Sequence, residues 1–263
     1  MSQKQQDYLR KRKRQKIQVN IWRVLLLSLF IFLWEFCARR GVIDPFIFSS
    51  PGRIAACFLS MTADGTLFHH IWVTLSETFL SLFLVLVLGI ALAVVLWWNQ
   101  QISQVLEPYL VALNSLPKTA LAPVFIVWLG NNMKTIIVAA VSMAVFSTTI
   151  TLYHAFQEMD PEKIKMLRTL GGSKRDILTK LILPGNIPTL ISVMKVDIGL
   201  TLVGVIIGEF LAARAGLGYL ITYGSQVFKL DLVLMPIVIL CLISTALYLL
   251  ISLLEKICQR HFQ

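Results

Sequence analysis

The sequence predicts an all-α, polytopic membrane protein with about six transmembrane helices. Three observations lead there. Of the 263 residues, 57% are hydrophobic and 14% charged, with a mean hydropathy of +0.75, whereas a soluble domain carries about 25% charged residues. Apolar stretches of roughly 20 residues, enough to cross a hydrocarbon core of about 30 Å, recur along the chain. The Lys and Arg residues behind the formal net charge of +10 fall between those stretches rather than across a polar domain. That pattern argues against a nucleic-acid partner and for topology signals.

Residues 1–20 form a basic N-terminal segment expected in the cytoplasm, and residues 21–70 the first span and an outer loop. The basic start followed by Val24 to Trp34 resembles a secretory signal, but Glu35-Phe36-Cys37-Ala38-Arg39-Arg40 offers no small-x-small cleavage site. The segment near 21 to 38 is therefore read as a retained span. The loop from Gly41 to His70 is rich in turn chemistry: Asp44-Pro45, Ser49-Ser50-Pro51-Gly52 and Asp64-Gly65.

A core of five spans fills residues 71–255, near 72 to 98, 105 to 129, 134 to 155, 186 to 212 and 232 to 254, before a C-terminus at 256–263. Leu80 to Trp98 holds no charge and ends on two indoles suited to an interfacial belt. In the next span Pro108, Pro117 and Pro123 each remove a backbone donor, so a broken helix is expected, shielded by protein rather than lipid. Cys37, Cys57, Cys241 and Cys258 contain no C-x-x-C pair and are read as packing residues.

Six spans with a cytoplasmic N-terminus place fifteen basic residues inside, among them Lys4, Arg10, Lys11, Arg12, Lys13, Arg14, Lys16, Lys256 and Arg260. Arg39, Arg40, Arg53, Lys134, Arg214 and Lys229 fall outside, so both termini are expected in the cytoplasm. The N-terminal cluster reads as a topology anchor or as a contact with anionic lipid.

The loop 156–184 is the most informative segment. Asp160 is placed to cap a helix opening at Pro161, with Glu162 in its first turn and Ile164, Leu167 and Leu170 at helical spacing. The helix should run about ten residues, on the order of 15 Å. Gly171-Gly172 supplies a left-handed stop. Ser173 with Asp176 makes a capping box for a second helix carrying Ile177, Leu178 and Leu181, which Leu183-Pro184 is expected to end. Physics alone leaves two roles open: lying on the membrane, or fitting a groove on a soluble partner.

The run Lys165-Met166-Leu167-Arg168-Thr169-Leu170-Gly171-Gly172-Ser173, followed by Leu181-Ile182-Leu183-Pro184, resembles the coupling loop of ABC importer permeases. That pattern reads Glu-Ala-Ala, three residues, Gly, nine residues, Ile, one residue, Leu-Pro. Gly171 and Leu183-Pro184 fall in register, while Lys165, Met166 and Leu167 take the Glu-Ala-Ala places and Leu181 the Ile. Phe48-Ser49-Ser50-Pro51-Gly52-Arg53-Ile54, the stretch from Asn114 to Gly130 and the stretch from Gly208 to Ile221 resemble the sulfonate, taurine, nitrate and bicarbonate branch.

The resemblance implies a type I importer permease fold in a bacterial inner membrane. It also implies a homodimer over two ATPase subunits and an extracytoplasmic binding protein, with ATP and Mg held by the ATPase. Lys165, Leu167, Arg168, Leu170, Gly171, Gly172, Ser173, Leu181, Leu183 and Pro184 would then contact or support the ATPase joint. The chain carries no G-x-x-x-x-G-K-[ST] phosphate loop of its own. The implied solute is a small anion such as a sulfonate, taurine or nitrate, with a thiamine-precursor pyrimidine as the alternative. An ion-coupled secondary transporter would call for paired repeats and deep intramembrane acids. Of these only Asp197 is expected to be deep.

Polar residues within spans are the candidates for a translocation path, because a charge in hydrocarbon is costly unless paired or watered. Asn114, Ser115 and Lys118 flank the proline breaks, and Thr201 and Glu209 lie on the fifth span. Glu209 reads either as a carboxylate that caps a helix or pairs with Arg214, or as a gate. Lys118 reads as a snorkelling lysine or an anion ligand. Lys195 and Asp197 stand two apart and should need separate partners. Ser142 and Thr148 are expected to bond their own helix, and His69-His70 carries no metal reading.

Overall fold

The computed structural model describes residues 3–262. Among the first sixteen, only the side chains of Arg12, Arg14 and Gln15 are described, so Lys4, Arg10, Lys11, Lys13 and Lys16 lie outside the description; so do Cys258 and Arg260. The described chain is all helix. α1 (Gln3–Arg39) is followed by the short α2 (Pro45–Phe48) and by α3 (Pro51–Ala63), then by the long α4 (Thr66–Trp98). α5 (Gln100–Ser115) and α6 (Ala122–Leu129), joined through a 3₁₀ turn at Lys118–Leu121, precede α7 (Met133–Gln157). α8 (Pro161–Thr169) and α9 (Lys174–Ile177) form the elbow; a π turn at Leu178–Ile182 and a short α10 (Leu183–Gly185) lead on into α11 (Ile187–Ala212). α12 (Leu217–Gln226) and α13 (Leu230–Phe262) complete the chain.

Among the described residues five helices are long and apolar enough to cross a membrane, and the α5–α6 pair, bent by 86°, brings the number to six when counted as one broken span. At the bend Leu116 is extended rather than helical, the expected result of the Pro117 ring, which blocks the preceding residue from helical geometry. Below, the end of the molecule bearing α8 and α9 is the loop end, and the other the far end.

α4, α7 and α11 form the centre, and small residues set their spacing. A Cβ on Gly204 would stand 2.6 Å from Ala140 Cα, and one on Gly208 2.8 Å from Ile136 Cα. This small-xxx-small face lets the α7 and α11 backbones approach closely, which compensates for the missing hydrophobic drive in lipid. Leu82, Ile198, Leu247 and Ile251 join α4, α11 and α13, and Leu67, Leu217, Leu220, Met235 and Ile239 close the far end.

α1 stands apart, its apolar side chains from Ile17 to Phe36 almost all exposed. It is held at the far end, where Glu35 accepts the Gly52 N–H at 2.9 Å and Ile31 and Trp34 border a groove against α3 and α13. The Ser49–Arg53 motif fastens the same corner. Asp231 accepts from Ser49 Oγ at 2.6 Å and from Arg53 at 2.8 and 3.2 Å.

Candidate functional site

The elbow is built almost entirely from local chemistry. Asp160 accepts the Glu162 N–H at 2.9 Å and opens α8. At its other end the Gly171 N–H meets the Arg168 carbonyl (3.0 Å) and the Gly172 N–H the Leu167 carbonyl (2.9 Å). This is the paired pattern of a Schellman stop. Gly171 takes φ +83°, and a Cβ on Gly172 would stand 2.8 Å from the Leu167 carbonyl oxygen. The predicted capping box is present: Ser173 Oγ accepts the Asp176 N–H at 3.2 Å, and Asp176 accepts the Ser173 N–H at 3.0 Å. The Lys180 ammonium, 2.7 Å away, and Ser173 hold the Asp176 carboxyl well below the usual carboxylate range.

One expectation fails here. Leu183-Pro184 does not end the second helix. The π turn shifts the hydrogen-bond spacing, with the Leu183 N–H bonding to the Leu178 carbonyl, so the ring of Pro184 is accommodated and the helical path runs on toward α11.

The elbow has two faces. Ile164, Leu167, Leu181 and Leu183 pack on the loop-end core of Leu96, Leu152, Tyr153, Phe156, Ile177 and Ile182. Lys165 and Arg168 are exposed, as are Met166 at 62% and Leu170 at 75%. Leu170, read as part of one apolar stripe with Ile164 and Leu167, therefore projects outward. The elbow is also tied to α4. Lys174 Nζ donates to the carbonyl of Trp98 at 2.5 Å and lies 5.6 and 5.3 Å from the indole centroids of Trp97 and Trp98. A cation on the last carbonyls of a helix also complements its dipole.

The bend in the α5–α6 crossing gathers Asn114, Ser115 and Lys118. Lys118 Nζ donates to Asn114 Oδ1 at 3.0 Å and to the Met143 carbonyl at 3.1 Å. Met143 lies about 15 Å along α7 from its far end and about 21 Å from its loop end. The ammonium is thus tied to the bend and to the α7 backbone. It has no carboxylate within ion-pair distance among the described residues, and its side chain is half-buried. Ser115 bonds its own helix at Val111 and is exposed.

Thr201 and Glu209 lie elsewhere, buried within the chain's own core. Thr201 donates to the Asp197 carbonyl at 2.7 Å. Glu209, 1% exposed, joins α4, α11 and α12. Its Oε1 accepts from Thr74 Oγ1 at 2.7 Å, and its Oε2 accepts the Gly218 N–H at 2.5 Å. Leu217 N–H donates to Thr74 Oγ1 (2.8 Å) and Gly216 N–H to His70 Nδ1 (3.0 Å). Three side chains from outside α12, His70 and Thr74 remote in sequence and Glu209 nine positions from Gly218, thus cap it together. Of the two structural roles open to Glu209 the cap is the one seen, and Arg214 is exposed without an ion pair among the described residues.

Asp197 and Lys195 do take separate partners. Asp197 accepts from Thr148 Oγ1 at 2.8 Å, so Thr148 bonds across helices as well as to its own. Lys195 pairs with Glu255, which also accepts from Ser192 at 2.8 Å. α4 begins at Thr66 rather than near residue 72, which sets the buried Glu77 about three turns into the helix. Thr74 escaped the sequence reading, and so did the bond of Thr148 across to Asp197, although its bond to its own helix at Ala144 was expected. Only their carboxylate partners, Glu209 and Asp197, hinted that buried donors must exist.

The described chain is thus a multi-pass helical bundle with a proline-broken crossing and a two-helix elbow at one end. Residues 85–260 match the family model described as "Binding-protein-dependent transport system inner membrane component". The formylaminopyrimidine transport permease protein ThiX of Halalkalibacterium halodurans is 28% identical over 233 residues, 89% of this chain and 92% of that protein. The putative aliphatic sulfonates transport permease protein SsuC of Bacillus subtilis is 23% identical over 233 residues, 89% and 84% of the two chains. Among solved structures, the inward-facing MetNI methionine ABC transporter matches with a TM-score of 0.66 at 20% identity, covering 73% of this chain and 96% of that one. The chain belongs to the binding-protein-dependent inner membrane components, the permease subunits of ABC importers, and has the type I importer permease fold.

Proposed function

We propose that two copies of this chain form the translocation path of an importer in a bacterial plasma membrane, above two ATPase subunits that bind ATP and Mg. The loop end and both termini face the cytoplasm, and an extracytoplasmic binding protein delivers the solute at the far end. Hydrolysis belongs to the ATPase chains. The observation that carries this reading is the elbow: its inner face is locked to the spans, while Lys165, Met166 and Leu170 stand exposed on the outer side. Such a rigid surface suits a groove on the ATPase and would pass its motion to α4, α7 and α11.

The solute is a small anion such as a sulfonate, taurine or nitrate. Support comes from Lys118, a half-buried cation beside a broken backbone, which must face protein or water rather than lipid. A second reading, a thiamine-precursor pyrimidine or similar heterocycle, draws on the higher identity to a permease named for formylaminopyrimidine.

Both are tested in proteoliposomes containing the chain, its ATPase and its binding protein. ATP-driven uptake of labelled taurine should fall at least tenfold in Lys118→Met, a loss of about 1.4 kcal/mol, with ATPase activity retained. Uptake of an aminopyrimidine but not taurine, unaffected by Lys118→Met, selects the heterocycle. Uptake on an ion gradient without the ATPase would overturn the importer reading itself.

A further inference from the structure

A cavity of about 290 Å³ lies where the elbow meets the spans, remote from the bend. Its polar wall is made by Gln100, Tyr153, Gln157, Arg168 and Lys174, with the indole of Trp97 beside them. We propose that it binds the phosphate headgroup of an anionic phospholipid.

Charge is the first argument. Two cations line the cavity and no carboxylate does, and neither Arg168 nor Lys174 has an ion-pair partner among the described residues. Lys174 is already held in place by the Trp98 carbonyl and the two indoles, which leaves N–H groups free for an anion without further ordering cost. Arg168 adds a planar fork of donors matched to phosphate oxygens. The neutral donors are ordered as well, for Gln157 Nε2 bonds Tyr153 Oη, which in turn meets Ser103 Oγ.

Position selects a lipid over a soluble anion. The cavity lies at the level of Trp97 and Trp98, the indole pair that ends the most apolar span, where an interfacial belt belongs. That is the level at which lipid headgroups lie. Seated there, the phosphate bridges Arg168 and Lys174 of the elbow to the end of α4. Nothing in this depends on which solute is carried.

The test uses the purified full chain in zwitterionic micelles with phosphatidylglycerol carrying a photoreactive headgroup, followed by peptide mapping. Labelling is expected on the peptides around Trp97–Gln100 and Arg168–Lys174, with competition by unlabelled phosphatidylglycerol and not by phosphatidylcholine. Arg168→Gln/Lys174→Gln should reduce that label at least fivefold and leave label on the basic N-terminal segment unchanged. Lys174→Arg should retain it, and the wild-type map stands even if the double variant fails to fold. Label confined to the N-terminal segment, or equal competition by phosphatidylcholine, would sink the proposal. Full competition by inorganic phosphate would assign the cavity to a soluble anion, and protection by the assembled ATPase would assign it to that protein contact; either result overturns it.

Discussion

At the scale of single residues, buried polar groups in this chain act by holding helices together. Glu209 is the clearest case, since its carboxylate serves Thr74 of α4 and the backbone of α12 at once. Glu209→Ala leaves the Gly218 N–H and the Thr74 hydroxyl short of an acceptor in a buried place, which costs about 1–3 kcal/mol for each unsatisfied group. The expected outcome is a clear drop in the thermal midpoint of the detergent-solubilised chain, against no change for Arg214→Ala. Equal losses in the two variants would restore the Glu209–Arg214 pairing. The separate fates of Lys195 and Asp197 were legible because helix geometry alone forbids neighbours two apart from meeting. Their partners, Glu255 and Thr148, lie 60 and 49 positions away, and no local pattern encodes such distances.

At the scale of elements, what the sequence reveals depends on how local the stabilising contacts are. Asp160-Pro161, Gly171-Gly172 and Ser173 with Asp176 were readable because each motif satisfies backbone groups within a few residues. α12 was not, because it spans ten residues and owes its start to His70, Thr74 and Glu209. The proline break was visible in Pro117, while its 86° angle depends on packing against α7. Gly171→Pro tests the elbow directly. Proline fixes φ near −65° and lacks the N–H that meets the Arg168 carbonyl, whereas the chain needs φ +83° there. ATP-driven uptake should be abolished with the chain still inserted in the membrane; unchanged uptake would refute the docking role.

For the whole molecule, the α7–α11 seam decides whether the bundle holds. Gly204 faces the Ala140 backbone, which cannot move aside as the end of a flexible side chain could. Gly204→Leu must therefore separate the two helices, a larger insult than the 1–3 kcal/mol typical of an overpacked core. Extracted in mild detergent, this variant should aggregate on size-exclusion chromatography, whereas Gly199→Leu, with open space at its Cβ position, should elute like the wild type. A monodisperse Gly204→Leu would show that the seam yields.

The loose attachment of α1 has a consequence for how the chain can diverge. A span in lipid must be apolar and long enough, and little else is asked of it unless other helices pack along it. α1 meets its own chain through Glu35, Ile31 and Trp34 near one end, so most of its length is free of any demand for shape. The seam allows no such freedom, since one added carbon at Gly204 meets backbone. The stretch matched by the family model, 85–260, takes in the seam and the elbow and leaves α1 out. A substitution in the seam or the elbow has neighbours to satisfy, whereas one along the exposed length of α1 has only to remain apolar.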